Sequence, residues 1–294
     1  MNKDDLLLRA QGFATAALRR TAPLAPRRNT HPDHLVHWWD NLIEGVTRAD
    51  CESDLDQGDG NEARDRKSKS GAISPAKFCA PYSSSALAVN SFGPFRHRPG
   101  SLRLDNRDGF ARVQFEYRCR NGLRTRHPPH FDVFAEGPDG VIAVESKFLE
   151  PLSEHEVDFK PQYDRPFRGA DGYSVIVEPP WRLVYEELQS GNLRFAHLDA
   201  AQLVKHYLGL KVKFNDRPRT LLYLFWEPDN WEQIDEFRTH RREARNFSDL
   251  VNRCATRFLF LSYRELWQDW AQYSAWPGMG AHLKRLSARY DLSL

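Results

Sequence analysis

The sequence predicts an α/β fold, a mixed central sheet flanked by helices, and three patterns predict it. Residues 110–118 set Val113, Phe115 and Tyr117 opposite Arg112, Gln114, Glu116 and Arg118, the period-two alternation of a half-buried strand. Residues 131–136 and 141–148 flank Gly137-Pro138-Asp139-Gly140, whose composition makes a tight turn and hence a hairpin. Residues 199–208 read as a helix capped by Asp199 and closed by Gly209, leading into the continuous apolar run 221–226, typical of a strand covered on both faces. Strand, helix, buried strand is the order of a parallel crossover.

The remaining elements follow the same physics. Residues 6–20 form an amphipathic surface helix; Asp4, Asp5 and Arg9 deny this end the basic start and long apolar core of a secretory signal. Residues 34–46 read as helical, with Trp38, Trp39, Leu42 and Ile43 as a docking stripe. Residues 48–69 are crowded with charge, Gly and Ser, cannot offset their ordering entropy, and read as a flexible loop. Serines 83–85 cap a short helix that Gly93-Pro94 stops. Residues 151–191 read as an insertion with one helix at 181–189, followed later by a polar helix at 232–253, a strand at 257–262 and a helix from Glu265. The expected division is a helical segment at 1–47, a polar loop at 48–76 and the main domain at 77–294, with the end segments adding helices to the core.

Composition bounds the function. The chain has 294 residues, 40% of them hydrophobic, enough for a sizeable core. Lys and Arg total 42 against 40 Asp and Glu, so the net charge of +2 does not argue for a polyanionic partner, and any nucleic-acid surface must be local. The four cysteines form no C-x-x-C pair, which speaks against structural zinc and fits a reducing, cytoplasmic setting. No run approaches a membrane span.

The hairpin carries the chemistry. With 137–140 as its loop, Glu136 faces Val141, and counting back pairs Asp132 with Glu145 on one face, Lys147 beside them. Cross-strand Cβ atoms lie about 5 Å apart, so two carboxylates could chelate one hard cation. Phe131, Val133, Ala135, Ile142, Val144 and Phe148 form the other, core face. Like charges placed opposite each other destabilise a hairpin, and a divalent cation resolves that conflict. Mg²⁺ suits few carboxylates plus water and phosphate oxygens, acidifies water and offsets the charge of a phosphoryl transition state.

Strand, turn and strand bearing Asp132 and then Glu145-Ser146-Lys147 resembles the PD-(D/E)XK nuclease superfamily. More narrowly, residues 83–94 through Phe148 resemble a bacterial family of restriction endonucleases. The resemblance implies a restriction-endonuclease-like core over residues 79–226, Asp132 and Glu145 as metal ligands, the Ser146 backbone carbonyl completing the metal shell, and Lys147 as the catalytic lysine. It implies Mg²⁺ (or Mn²⁺) as cofactor and DNA as substrate, while a second copy of the chain and a companion methyltransferase stay open as partners that the sequence does not decide. Two features depart from the pattern. Pro128-Pro129 precede Asp132 at a distance, and Asn90 stands where many relatives place a glutamate.

Gln202 and His206 are one helical turn apart and could face the site, although Gln202 also suits a capping box with Asp199. Arg118, Arg120, Arg124 and Arg126 precede the hairpin and are the phosphate-contact candidates. The expectation is therefore a metal-dependent nuclease, probed against three rivals: a nucleic-acid-binding protein on the same fold without catalysis, a hydrolase of small phosphoesters, and a structural protein whose hairpin charges are solvated.

Overall fold

The computed structural model of the chain describes residues 3–56, 62–69, 71–119, 128–168, 177–273 and 276–294. It opens with helix α1 (Lys3–Thr21), the single turn α2 (Glu52–Leu55), a ribbon of β1 (Arg66–Lys67) and β2 (Ile73–Ser74), and helix α3 (Ser84–Phe92). Strands β3 (Arg112–Arg118), β4 (His130–Gly137) and β5 (Gly140–Lys147) follow, then helices α4 (Asp164–Arg168), α5 (Pro179–Ser190) and α6 (Ala200–Lys213). Strand β6 (Arg219–Phe225), helix α7 (Asp235–Val251), strand β7 (Thr256–Ser262) and helices α8 (Tyr263–Tyr273) and α9 (Met279–Tyr290) complete it. Strands β3 to β7 form one sheet in chain order, antiparallel from β3 to β5 and parallel from β5 to β7. This is the mixed α/β sheet with flanking helices that the hydrophobic patterns predict.

Each face of the sheet has its own core. Val133 and Val144 pack with Leu18, Phe92, Trp270 and Tyr290 from α1, α3, α8 and α9. Ala143 and Tyr223 pack with Trp181, Tyr207 and Phe247 from α5, α6 and α7. Every residue of β6 is buried, as a strand covered on both sides must be. Among the described residues no helix is long and apolar enough to cross a membrane.

The hairpin turn is tighter than the four-residue loop expected. Gly137 pairs with Gly140, leaving only Pro138 and Asp139 between the strands. Gly140 has φ +114, and a Cβ there would fall 2.1 Å from the Pro218 carbonyl, so the approach of the chain leading into β6 requires glycine.

Within β3 and β4 the alternation breaks once. Val113, Phe115, Val133 and Ala135 enter the first core, whereas Tyr117 and Phe131 enter the second. Phe131 therefore does not share a face with Val133, nor Tyr117 with Phe115, contrary to the period-two expectation. The ladder steps from Phe115↔Val133 to Tyr117↔Phe131, and Glu116, opposite Asp132, takes φ +47. Such a conformation costs a non-glycine residue about 1–2 kcal/mol, so neighbouring contacts must hold it.

Residues 48–69 are not uniformly irregular. Cys51 and Leu55 are buried, and Asp54 pairs with Arg96 at 3.1 Å and accepts the Phe115 N–H at 3.0 Å, closing part of the free edge of β3. Residues 34–46 hold only a 3₁₀ turn, Trp38–Asn41, because the Asn41 amide is drawn sideways to the Phe78 and Ala80 carbonyls (2.7 and 2.9 Å). Helix α6 continues through Gly209 to Lys213. That glycine gives room to Cys119, whose sulfur would lie 3.3 Å from a Cβ, and does not stop the helix.

Candidate active site

The hairpin opens into a fork where the chemistry sits. Its ladder runs from Gly137↔Gly140 to Val133↔Val144 and ends there, so Asp132 and Glu145 are not backbone partners as the simple count implied. The Asp132 carboxylate itself accepts the Ser146 N–H at 2.6 Å, replacing the missing ladder bond. Asp132, Glu145 and Lys147 still converge on one cleft: adjoining hollows of about 590 and about 530 Å³ share Glu62, Lys77, Asp132, Glu145 and Gln202.

Lys147 Nζ donates to Glu145 Oε1 at 2.6 Å and to Gln202 Oε1 at 2.7 Å. The other Glu145 oxygen lies 3.1 Å from His206 Nδ1. Both residues from α6 thus face the site. Of the two roles considered for Gln202 the site-facing one holds: its backbone N–H bonds the Asp199 Oδ1 cap at 2.9 Å, but its side chain reaches Lys147 instead of turning back to close a capping box. The Ser146 hydroxyl turns to the opposite face and bonds the Tyr263 hydroxyl at 2.6 Å.

The charges do not balance. Burial opposes ionisation of Glu145, but the Lys147 ammonium and His206 outweigh it and hold this carboxyl at about 2. Burial raises Asp132 well above the usual carboxylate range, and the nearby Glu145 and Glu116 raise it further against Lys147. Burial also raises Glu116, which His130 only partly offsets. Lys147 is raised, since Glu145, Glu150 and Asp132 outweigh the cost of burying its charge. Three carboxylates, Asp132, Glu145 and Glu116, outnumber the Lys147 ammonium, and such an excess of negative charge favours a hard cation.

Among the described residues no three His, Cys, Asp or Glu side chains are grouped to hold a metal ion. A cation here would rely on Asp132 and Glu145 together with backbone, water or substrate oxygens, which is how Mg²⁺ is commonly bound.

Sequence reasoning missed several residues of the cleft. Glu116 hid in the polar half of an alternating strand, and Glu62 hid in the segment read as a loop. Glu62 is buried, accepting Lys77 Nζ at 2.7 Å and Ser85 Oγ at 2.8 Å. Lys205 could have been found, being one turn from Gln202 and next to His206 on α6. Asn90 is structural: it bonds the Ile43 N–H, the Asn41 carbonyl and the Tyr290 hydroxyl. Arg118 is exposed at the end of β3, opposite His130, and is not among the residues lining the cleft. Arg120, Arg124 and Arg126 lie outside the described residues.

A mixed sheet whose forked hairpin sets two carboxylates and a lysine in a charged cleft defines a restriction-endonuclease-like fold. The chain belongs to the family described as restriction endonuclease associating with ARP (REase-ARP), whose model matches residues 15–291, which places it among nucleases. Neither a curated protein nor a solved structure matches it.

Proposed function

We propose that the protein is a metal-dependent endonuclease that hydrolyses phosphodiester bonds in DNA, with Asp132, Glu145 and Lys147 as its catalytic residues. The observation that carries this reading is the convergence of Asp132, Glu145 and Lys147 in one buried, charge-deficient fork. Asp132, Glu145 and the Ser146 backbone carbonyl would hold Mg²⁺ or Mn²⁺. When bound, that cation supplies positive charge beside the phosphate and acidifies water.

The side chains divide the remaining work. Lys147 is held as an ammonium among carboxylates, so its part is to donate to a phosphate oxygen and orient water rather than to remove a proton. His206 and Gln202 position Glu145 and Lys147 from a rigid helix. Water adds to phosphorus, the bond to one ester oxygen breaks, and that oxygen leaves with a proton.

Incubation of the purified protein with supercoiled plasmid, linear duplex and RNA, each with Mg²⁺ or EDTA, tests the proposal. Cleavage of plasmid in Mg²⁺ and none in EDTA is the expected result. DNA binding without cleavage in either metal would point to a binding protein on this fold, and cleavage of small phosphoesters alone would remove DNA as the substrate.

A further inference from the structure

The β1–β2 ribbon stands at the edge of the cleft. Residues 64–69 and 71–74 are all exposed, whereas the flanking Glu62 and Ala76 are only 6% and 2% exposed. The base is tied on both sides. Asp65 takes two bonds from Arg28 (2.8 and 2.9 Å) and one from the Ala76 N–H (2.9 Å), and Lys77 bonds Glu62 across the ribbon's two ends. Above that base the Arg66↔Ser74 and Lys67↔Ile73 pairs and backbone bonds of Ser68 and Gly71 hold the tip.

The tip carries Arg66, Lys67 and Lys69 with no carboxylate of its own. Lys67 and Lys69 pair with no carboxylate among the described residues. Lys67 and Lys69 on so short a ribbon repel one another unless an anion lies against them. Arg66 and Lys77 also line the cleft, so the basic ribbon adjoins the place where Asp132 and Glu145 sit. Beside a cleft that acts on a phosphodiester, the polyanion within reach is the backbone of the substrate itself.

We propose that the β1–β2 ribbon is an arm that grips duplex DNA, with Arg66, Lys67 and Lys69 contacting phosphates that flank the cleaved one. This inference rests on the nuclease reading above. It locates affinity in a segment whose composition alone suggests a passive loop, and it ties that segment through Glu62 and Lys77 to the catalytic fork.

Binding of a fluorescent duplex to the full chain, with Ca²⁺ replacing Mg²⁺ and at increasing KCl, tests it. Each phosphate contact contributes about 0.9 to the slope of log affinity against log salt. The triple variant Arg66→Ala/Lys67→Ala/Lys69→Ala is therefore expected to bind at least roughly tenfold more weakly, with a slope shallower by about 2–3. A matched triple, Arg9→Ala/Arg20→Ala/Lys284→Ala, removes the same charge from α1 and α9, outside the cleft lining, and is expected to bind as the wild type does.

If the ribbon triple melts early, Lys67→Gln/Lys69→Gln leaves Arg66 in place and is to show about two thirds of the slope change. Unchanged affinity and slope in the ribbon variants, or equal losses in both triples, would overturn the proposal while leaving the nuclease reading intact. A wild-type protein that neither binds nor cuts DNA would instead remove the reading beneath it.

Discussion

Two buried charge clusters lie on the same face of the sheet, about 13 Å apart along β6, and they are built to opposite ends. Beside Tyr223 is the fork, with Asp132, Glu116 and Glu145 against Lys147. At the start of β6, Arg219 pairs with Glu178 at 2.9 Å, Lys211 approaches the same carboxylate at 3.7 Å, and Arg219 also bonds Thr256 and three carbonyls. Burial opposes the charge on Glu178, yet the Thr256 hydroxyl, Arg219 and Lys211 outweigh it and lower that carboxyl. Helix α6 covers both, with Gln202 and His206 over the first and Lys211 over the second. A carboxylate met by two cations inside the core holds the fold together; a fork with more carboxylates than cations, opening on a cleft, is poised to take a ligand.

The largest expected effect breaks the first cluster. Asp132→Ala, Glu145→Ala and Lys147→Ala should each lower DNA cleavage by roughly 10³-fold or more while retaining the wild-type circular dichroism spectrum. Groups acting as one unit are not additive, so Asp132→Ala/Glu145→Ala should be scarcely slower than either single variant. Calorimetry should show Mg²⁺ binding lost in both carboxylate variants and kept in Lys147→Ala, since an ammonium has no lone pair to give. Additive losses, or Mg²⁺ binding that survives both carboxylate variants, would separate these residues from a shared cation.

The second cluster should respond in stability. Arg219→Ala leaves Glu178 buried without its main partner and is expected to cost about 3–5 kcal/mol in urea unfolding. Glu178→Met/Arg219→Met removes both charges and should recover most of that loss, because a buried ion pair often does little better than apolar side chains of similar size. In neither variant should the cleavage rate per folded molecule change. If Arg219→Ala inactivated a folded protein, the division between a structural and a catalytic cluster would fail.

Asp132→Asn tests whether the fork stores repulsion. Its folded carboxyl is raised, so the unfolded chain gives up this proton at lower pH than the folded one, and stability falls as pH rises toward the folded value. Without metal at pH 7 the variant should melt about 2–4 °C higher than the wild type, the shift that roughly 1 kcal/mol produces in a protein of this size class. Added Mg²⁺ should raise the wild-type melting temperature and leave the variant where it is. A variant that melts lower would show the Ser146 bond to be worth more than the repulsion.

Much of this was legible in the sequence, and the gaps have physical causes. The hairpin, the buried strand and the crossover helix were written in periodicity and turn residues, so Asp132, Glu145 and Lys147 could be placed together by counting. The fork could not be counted. It depends on Glu116 adopting φ +47 and on Asp132 bonding Ser146, both set by tertiary contacts rather than local preference. Composition likewise hid Cys51, Leu55 and Glu62, because a few well-placed buried side chains anchor a segment whose average is polar. Gly209 read as a stop for want of knowing that Cys119 lies against it.

The smallest expected effect concerns His240, a buried titratable group that carries no charge and belongs to neither cluster. Its Nε2 lies 2.8 Å from the Tyr223 hydroxyl and its ring meets Phe225 edge-on, beneath α7. Burial above all, and then His197, Arg241 and His155, push its pKa down to about 3. In the unfolded chain it regains the ordinary histidine value of about 6.5. Above that pH neither state binds the proton, and stability does not depend on it. As pH falls from about 6.5 toward 3 only the unfolded chain is protonated, so folding loses about 1.4 kcal/mol per pH unit, and below about 3 the loss stops growing. His240→Phe leaves the Tyr223 hydroxyl without this partner, a pH-independent cost of about 1–3 kcal/mol, but removes the titration. Urea unfolding at pH 7 and pH 5 should therefore show the wild type losing roughly 2 kcal/mol more than the variant across that interval. Parallel losses would mean that His240 is protonated in the folded protein, and that the core beneath α7 admits a charge beside Tyr223 and Phe225.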